Sequence, residues 1–138
     1  MIAYVDSSVV LRLVLGQPGA LREWRSVERG VASALVEVES LRTLDRLRLA
    51  EGLPEADLAE RREAVYRLLE TIEIVEPTRF ILTRAAQPLP VSLGTLDAIH
   101  LATALAWRDA TGTPLTLATH DAQLGLAARA LGLETVGS

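Results

Sequence analysis

Four acids of this chain stand where a carboxylate can do chemistry. Asp6 directly follows the apolar run Ile2–Val5. Glu39 lies six residues after Ser33, in the second turn of a helical pattern. Asp97 falls in the first turn of another, within Thr95-Leu96-Asp97-Ala98-Ile99-His100-Leu101-Ala102-Thr103-Ala104. Asp121 closes Thr119-His120-Asp121, just after a further apolar run. Singly, each has an ordinary explanation: a turn acid, an exposed helical residue, a partner for a helix dipole, an N-cap. Together they form a set of hard oxygen ligands suited to Mg²⁺, or to Mn²⁺ as the alternative. Carboxylates gathered in one place repel, and a divalent cation removes that cost. The cation then orients a water, favours its hydroxide form and neutralises charge building on a phosphate. Two such ions roughly 4 Å apart clamp the attacking and leaving oxygens.

The other acids read as structure. Glu55, Asp57, Glu60 and Glu63 sit among Arg61, Arg62 and Arg67 in the polar part of one helix. Asp45 lies among Arg42, Arg46 and Arg48, where pairing on the helix surface is expected. Glu37 is two residues from Glu39 and points to a different side of its helix. His100, three residues after Asp97, reads as a packing histidine with satisfied ring nitrogens. His120 is nearer the expected site, and hydrolysis by activated water needs neither.

Strands and helices alternate along the chain that must position these residues. Strands are expected at Ile2–Val5, Val31–Ala32, Ile72–Val75, Leu115–Ala118 and, briefly, Glu134–Val136. Helices are expected from Ser7 or Ser8 to Leu15, over Ala20–Glu28, from Ala34 to Ala50 behind a Ser33 cap, and from Pro54-Glu55 to Glu70. Three more follow: Thr78–Ala86, Leu96–Ala110 behind a Thr95 cap, and Asp121–Ala130. Gly16, Gly52, Gly112 and Gly132 supply the stops. This order implies an α/β domain over residues 1–138, with a mostly parallel sheet of four to five short strands covered by helices on both faces. Sites in such sheets form at the carboxyl ends of the strands. Asp6 and Asp121 are thereby expected at one sheet edge, although 115 positions separate them.

Composition narrows the chemistry. Apolar residues make up 49% of the chain, enough for one sizeable core, and aromatics only 4%. The absence of cysteine excludes disulfides, thiolate metal sites and cysteine nucleophiles. All 14 basic residues are Arg, so no lysine chemistry is available. That removes the main rival uses of an Asp after a first strand, the receiver domain and the haloacid-dehalogenase-like phosphatase, which both depend on a lysine. The net charge of −4 means that a nucleic-acid substrate requires something to offset the acids, as bound cations would. The N-terminus carries no basic segment followed by an apolar one, and no run approaches the ~20 apolar residues of a membrane span. A soluble cytoplasmic protein is expected.

Tyr4-Val5-Asp6-Ser7-Ser8, the Ser33 to Glu39 spacing, Leu96-Asp97-Ala98-Ile99-His100-Leu101-Ala102-Thr103-Ala104 and Thr119-His120-Asp121 resemble the successive motifs of PIN-domain nucleases. The third motif and the length look most like the VapC toxins of toxin–antitoxin pairs. The resemblance spans essentially the whole chain, and its most specific piece is the segment around Asp97. It implies a three-layer PIN-like fold and a metal-dependent endoribonuclease that hydrolyses RNA phosphodiesters. It implies Asp6, Glu39, Asp97 and Asp121 as metal-binding acids, with Ser8 and Thr119 in support. His120 departs from the aromatic residue more usual there. The resemblance also implies a homodimer and a small antitoxin that lays a helix in a groove and offers a basic side chain to the acids. Alternatives of the same fold are a non-toxin nuclease of RNA processing and a catalytically silent binding protein. Val9, Val10, Leu11, Leu13, Val14 and Trp24 form an apolar surplus open to three uses: core, dimer interface or antitoxin groove.

Overall fold

The computed structural model describes residues 1–138. The elements run β1 (Ile2–Val5), α1 (Ser7–Leu15), β2 (Arg29–Ser33), α2 (Leu35–Glu51), α3 (Glu55–Glu70), β3 (Ile72–Val75), α4 (Arg79–Ala85), α5 (Thr95–Thr111), β4 (Thr116–Ala118), α6 (Ala122–Ala130) and β5 (Glu134–Val136). The five strands form one sheet in the order β3-β2-β1-β4-β5, and every neighbouring pair is parallel. The sheet is therefore parallel throughout rather than mostly so.

The first strand is the central one. Alternation of side chains along a strand gives β1 an apolar residue on each face: Ala3 and Val5 join one core, Tyr4 the other. Val31 and Ala32 of β2, and Leu117 and Ala118 of β4, divide in the same way. One core lies beneath the mutually packed α1, α2 and α3 and includes Val9, Val10 and Val36. The other lies beneath α5 and α6, with Leu101, Ala104 and Leu105 giving α5 its buried stripe and Leu124 coming from α6. The result is the expected three-layer α/β architecture. Burying a Val or Leu side chain contributes about 1.5–3 kcal/mol, so these short strands are held mainly by the helices above and below them.

From β1 the chain winds outward through β2 and β3, then crosses back to lay β4 on the other side of β1. The reversal of direction opens a crevice beyond the carboxyl ends of β1 and β4. Asp6 follows the last residue of β1, and Thr119 that of β4.

The differences from expectation are local. Residues 20–28 do not form an α-helix. They hold one 3-10 turn, Arg22–Ser26, because a segment this short, with only Leu21 fully anchored in the core, cannot repay helix nucleation. Strand β2 is longer than Val31–Ala32, since pairing with both β1 and β3 extends it from Arg29 to Ser33. Ser33 ends that strand and Ala34 is the cap of α2, although the Ser33 hydroxyl still accepts from the Leu35 N–H. Thr95 is the first helical residue of α5 and Gly94 its cap. Much of the N-terminal apolar surplus is core: Val9 and Val10 are fully buried, and Leu13, Val14 and Trp24 pack partly buried against them. No helix is long and apolar enough to cross a membrane.

Candidate active site

Asp6 and Asp121 occupy equivalent positions at the two turns that flank the crevice. Each is an extended residue that caps the next helix: Asp6 Oδ1 accepts from the Val9 N–H at 3.2 Å, and Asp121 Oδ1 from the Leu124 N–H at 2.9 Å. The cap of α1 is thus Asp6 rather than Ser7 or Ser8, and this frees Ser8 for another task. Its hydroxyl donates to Asp6 Oδ1 at 2.6 Å and accepts from the His120 N–H at 3.0 Å. The buried Thr119 hydroxyl makes the mirror connection, donating to Asp6 Oδ2 and accepting from the Asp121 N–H at 3.0 Å. Two hydroxyls therefore tie the β1–α1 turn to the β4–α6 turn, and both oxygens of the buried Asp6 carboxylate are held. Gly137 completes the joint from β5. Its φ of +93° suits glycine, and a Cβ there would stand 2.7 Å from the Thr119 carbonyl oxygen.

Glu39 is held from the other core. Its Oε1 lies 2.5 Å from His100 Nε2, and His100 Nδ1 lies 2.7 Å from the Tyr4 hydroxyl, which accepts from the Ser33 N–H at 3.2 Å. Burial pushes the Tyr4 phenol far above its ordinary range, so it keeps its proton. His100 is buried with both nitrogens engaged. It is the packing histidine expected, and it also orients a candidate site acid. Tyr4 was not singled out in the sequence. Its only signal there was a hydroxyl in an otherwise aliphatic strand.

Asp97 lies on the first turn of α5, half-buried. Its carboxyl is pushed above the ordinary value, first by burial and then by the charges of Asp121 and Asp6, with Glu39 adding to this and His100 opposing it. Residues from four separated segments therefore share one field at the carboxyl edge of the sheet. The field is repulsive, and a divalent cation relieves such repulsion. No three of these side chains close into a cage around one point. An open oxygen set of this kind suits a hard divalent cation that keeps part of its water shell. Both ring nitrogens of His100 are already engaged, by Tyr4 and Glu39. His120 donates Nδ1–H to the Gly137 carbonyl at 3.1 Å, and its Nε2 is buried without a partner.

Asp45 is paired on the helix surface, as expected. Asp45 pairs with Arg48 alone, at 3.1 Å. Arg46 instead donates to the Thr43 hydroxyl, and Arg42 forms no ion pair.

The family model for the PIN domain matches residues 3–130. Ribonuclease VapC46 of Mycobacterium tuberculosis is 34% identical over 137 residues, covering 96% of this chain and 95% of that protein. Ribonuclease VapC35 of the same species is 38% identical over 139 residues, covering 96% and 94%. A toxin–antitoxin complex from Klebsiella pneumoniae contains a chain of the same fold, with a TM-score of 0.66 at 20% identity over 89% of each chain.

Proposed function

This chain belongs to the PIN-domain family, and from that premise we propose that it is a metal-dependent endoribonuclease, the toxin of a type II toxin–antitoxin pair. The observation that carries the proposal is the shared acidic field at the crevice, felt at Asp97 from Asp121, Asp6 and Glu39. The chain's curated relatives are named ribonucleases over nearly their full lengths.

In this reading Asp6, Asp97, Asp121 and Glu39 hold Mg²⁺, with Mn²⁺ able to take the same oxygen ligands. Bound there, the ion would activate a water and neutralise charge at the scissile phosphate. The protein's own part is positioning. Asp6 has both oxygens fixed, by the Val9 N–H, Ser8 and Thr119, so it meets its ligand without rearranging. Ser8 and Thr119 also set the distance between the turns that carry Asp6 and Asp121. His100 holds one oxygen of Glu39 and leaves the other for the site. Supporting hydrogen bonds of this kind commonly matter about 10- to 100-fold in metal affinity or activity.

The substrate is single-stranded or looped RNA, cut at a phosphodiester. The partner is a small antitoxin, supported by the toxin–antitoxin complex that shares the fold. A homodimer is the working assembly, and a mass measurement finding only monomer at micromolar concentration counts against it. As a toxin of cellular RNA the protein acts in the cytoplasm. The decisive experiment sequences RNA ends made by the wild type and by Asp6→Asn. Ends that depend on Asp6 and vanish in excess EDTA are expected. Cleavage by Asp6→Asn at the wild-type rate refutes the site, and cleavage in EDTA refutes the metal.

A further inference from the structure

Beside the acids a cleft of about 300 Å³ runs between α2, the start of α1 and the start of α5, lined by Ser7, Glu39, Arg42, Thr43, Arg46 and Leu96, with Val38 at its rim. Glu39, Arg42 and Arg46 stand at i, i+3 and i+7 and so share one face of α2. The two arginines are exposed. Asp45, the carboxylate between them in sequence, is taken by Arg48, and neither Arg42 nor Arg46 forms an ion pair. In a chain with 18 acids and 14 arginines, two guanidiniums without an acidic partner at the mouth of an acidic centre have an evident electrostatic use. The acids repel a polyanion, and cations beside them offset that repulsion. The arginines lie roughly 4.5 and 10.5 Å farther along the helix axis than Glu39, so they meet different phosphates of a strand laid along α2. Guanidinium is the side chain best matched to phosphate oxygens, by its planar pair of N–H donors. The same cleft also offers apolar surface, since Leu96 and Val38 are 48% and 49% exposed. Unstacked bases can use that surface, whereas paired bases cannot.

We propose that Arg42 and Arg46 form a phosphate-binding track that seats single-stranded RNA alongside the acidic centre. The inference rests on the nuclease reading and deepens it by assigning the substrate's path. Binding of a 5′-labelled mixed-sequence oligoribonucleotide, followed by fluorescence anisotropy across a salt series, tests it. Asp97→Asn serves as the uncleaving background, and the same strand in a duplex is the comparison. Each phosphate contact on a single strand contributes about 0.7 to the slope of log affinity against log salt. Adding Arg42→Gln and Arg46→Gln is expected to weaken binding and to flatten that slope by about 1.4. Arg22→Gln with Arg25→Gln removes two exposed charges elsewhere and is expected to leave the slope unchanged. An unchanged slope in the Arg42/Arg46 pair assigns these residues to another partner, such as an acidic protein segment, and overturns the inference. Equal flattening by both pairs overturns it as well, since only net charge then matters. Duplex binding as tight and as dependent on Arg42 and Arg46 as single-strand binding overturns the single-strand assignment. No RNA binding by the arginine-intact protein at any salt defeats the nuclease reading itself.

Discussion

Asp97 and Asp109 are the same residue type on the same helix, third from its beginning and third from its end. The helix dipole alone favours an ionised acid at the beginning and disfavours one at the end. Their surroundings produce the reverse. Asp97 is pushed up by burial and by Asp121 and Asp6. Asp109 is held below its ordinary value, chiefly by the Arg84 guanidinium at 2.9 Å and also by Arg108 at 3.1 Å. A dipole is worth about 0.3–1 kcal/mol at a helix end, so direct partners and desolvation outweigh it. The half-buried acid without a cation beside it is the one poised to take a metal. The exposed acid between two arginines has its charge already matched.

The largest effect that can break this contrast is on cleavage. Asp97→Asn should lower RNA cleavage by more than roughly 100-fold, beyond the range of supporting residues, while Asp109→Asn leaves it unchanged. A gel-based cleavage assay of the two variants decides the matter, and equal activity refutes the division of roles. The next effect is on metal-linked stability. Mg²⁺ at a hundred times its Kd should add about 2.7 kcal/mol to the wild type near pH 7, read as a shift in urea midpoint. That gain should shrink toward pH 4 as protons compete for Asp97, and Asp97→Asn should lose most of it.

His100 sharpens the comparison by testing the support rather than the ligand. His100→Leu strips the Tyr4 hydroxyl and Glu39 of their partner. It should raise the metal concentration needed for half-maximal cleavage about 10- to 100-fold and cost about 1–3 kcal/mol of stability. His100→Gln, whose amide can accept from Tyr4 and donate to Glu39, should recover part of the metal response. A loss of stability with no change in metal response would make His100 a packing residue only.

The smallest effect is the pH dependence of the metal-free protein. Asp97 binds its proton more tightly folded than unfolded. Its contribution to stability is intact below the ordinary value of 3.8 and is lost as pH rises through its raised folded value. Asp109 does the opposite: its contribution is present above 3.8 and is lost as pH falls through its lowered folded value. Urea titrations from pH 3 to 7 should show Asp97→Asn gaining stability relative to the wild type at neutral pH. Asp109→Asn should lose a little there, a small effect because the pair is exposed and screened by solvent.

The sequence by itself determined the order of elements and the kind of sheet. Apolar runs of four or five residues alternating with longer amphipathic stretches leave few arrangements other than a parallel sheet between helices. Its motifs marked the four acids, and the absence of lysine removed their main competing use. Glu39 depended most on its family spacing, because nothing in its own helix distinguishes it from Glu37. Only the tertiary structure decided what holds these acids. Whether Ser8 or Asp6 caps α1, whether Thr119 reaches Asp6 across 113 positions, and whether Tyr4, His100 and Glu39 line up through the core all depend on distances between segments. Local propensity carries no information about such distances. The same holds for the arginines: sequence spacing offered Asp45 three partners, and the fold gave it one, leaving Arg42 and Arg46 without an ion pair beside the acids.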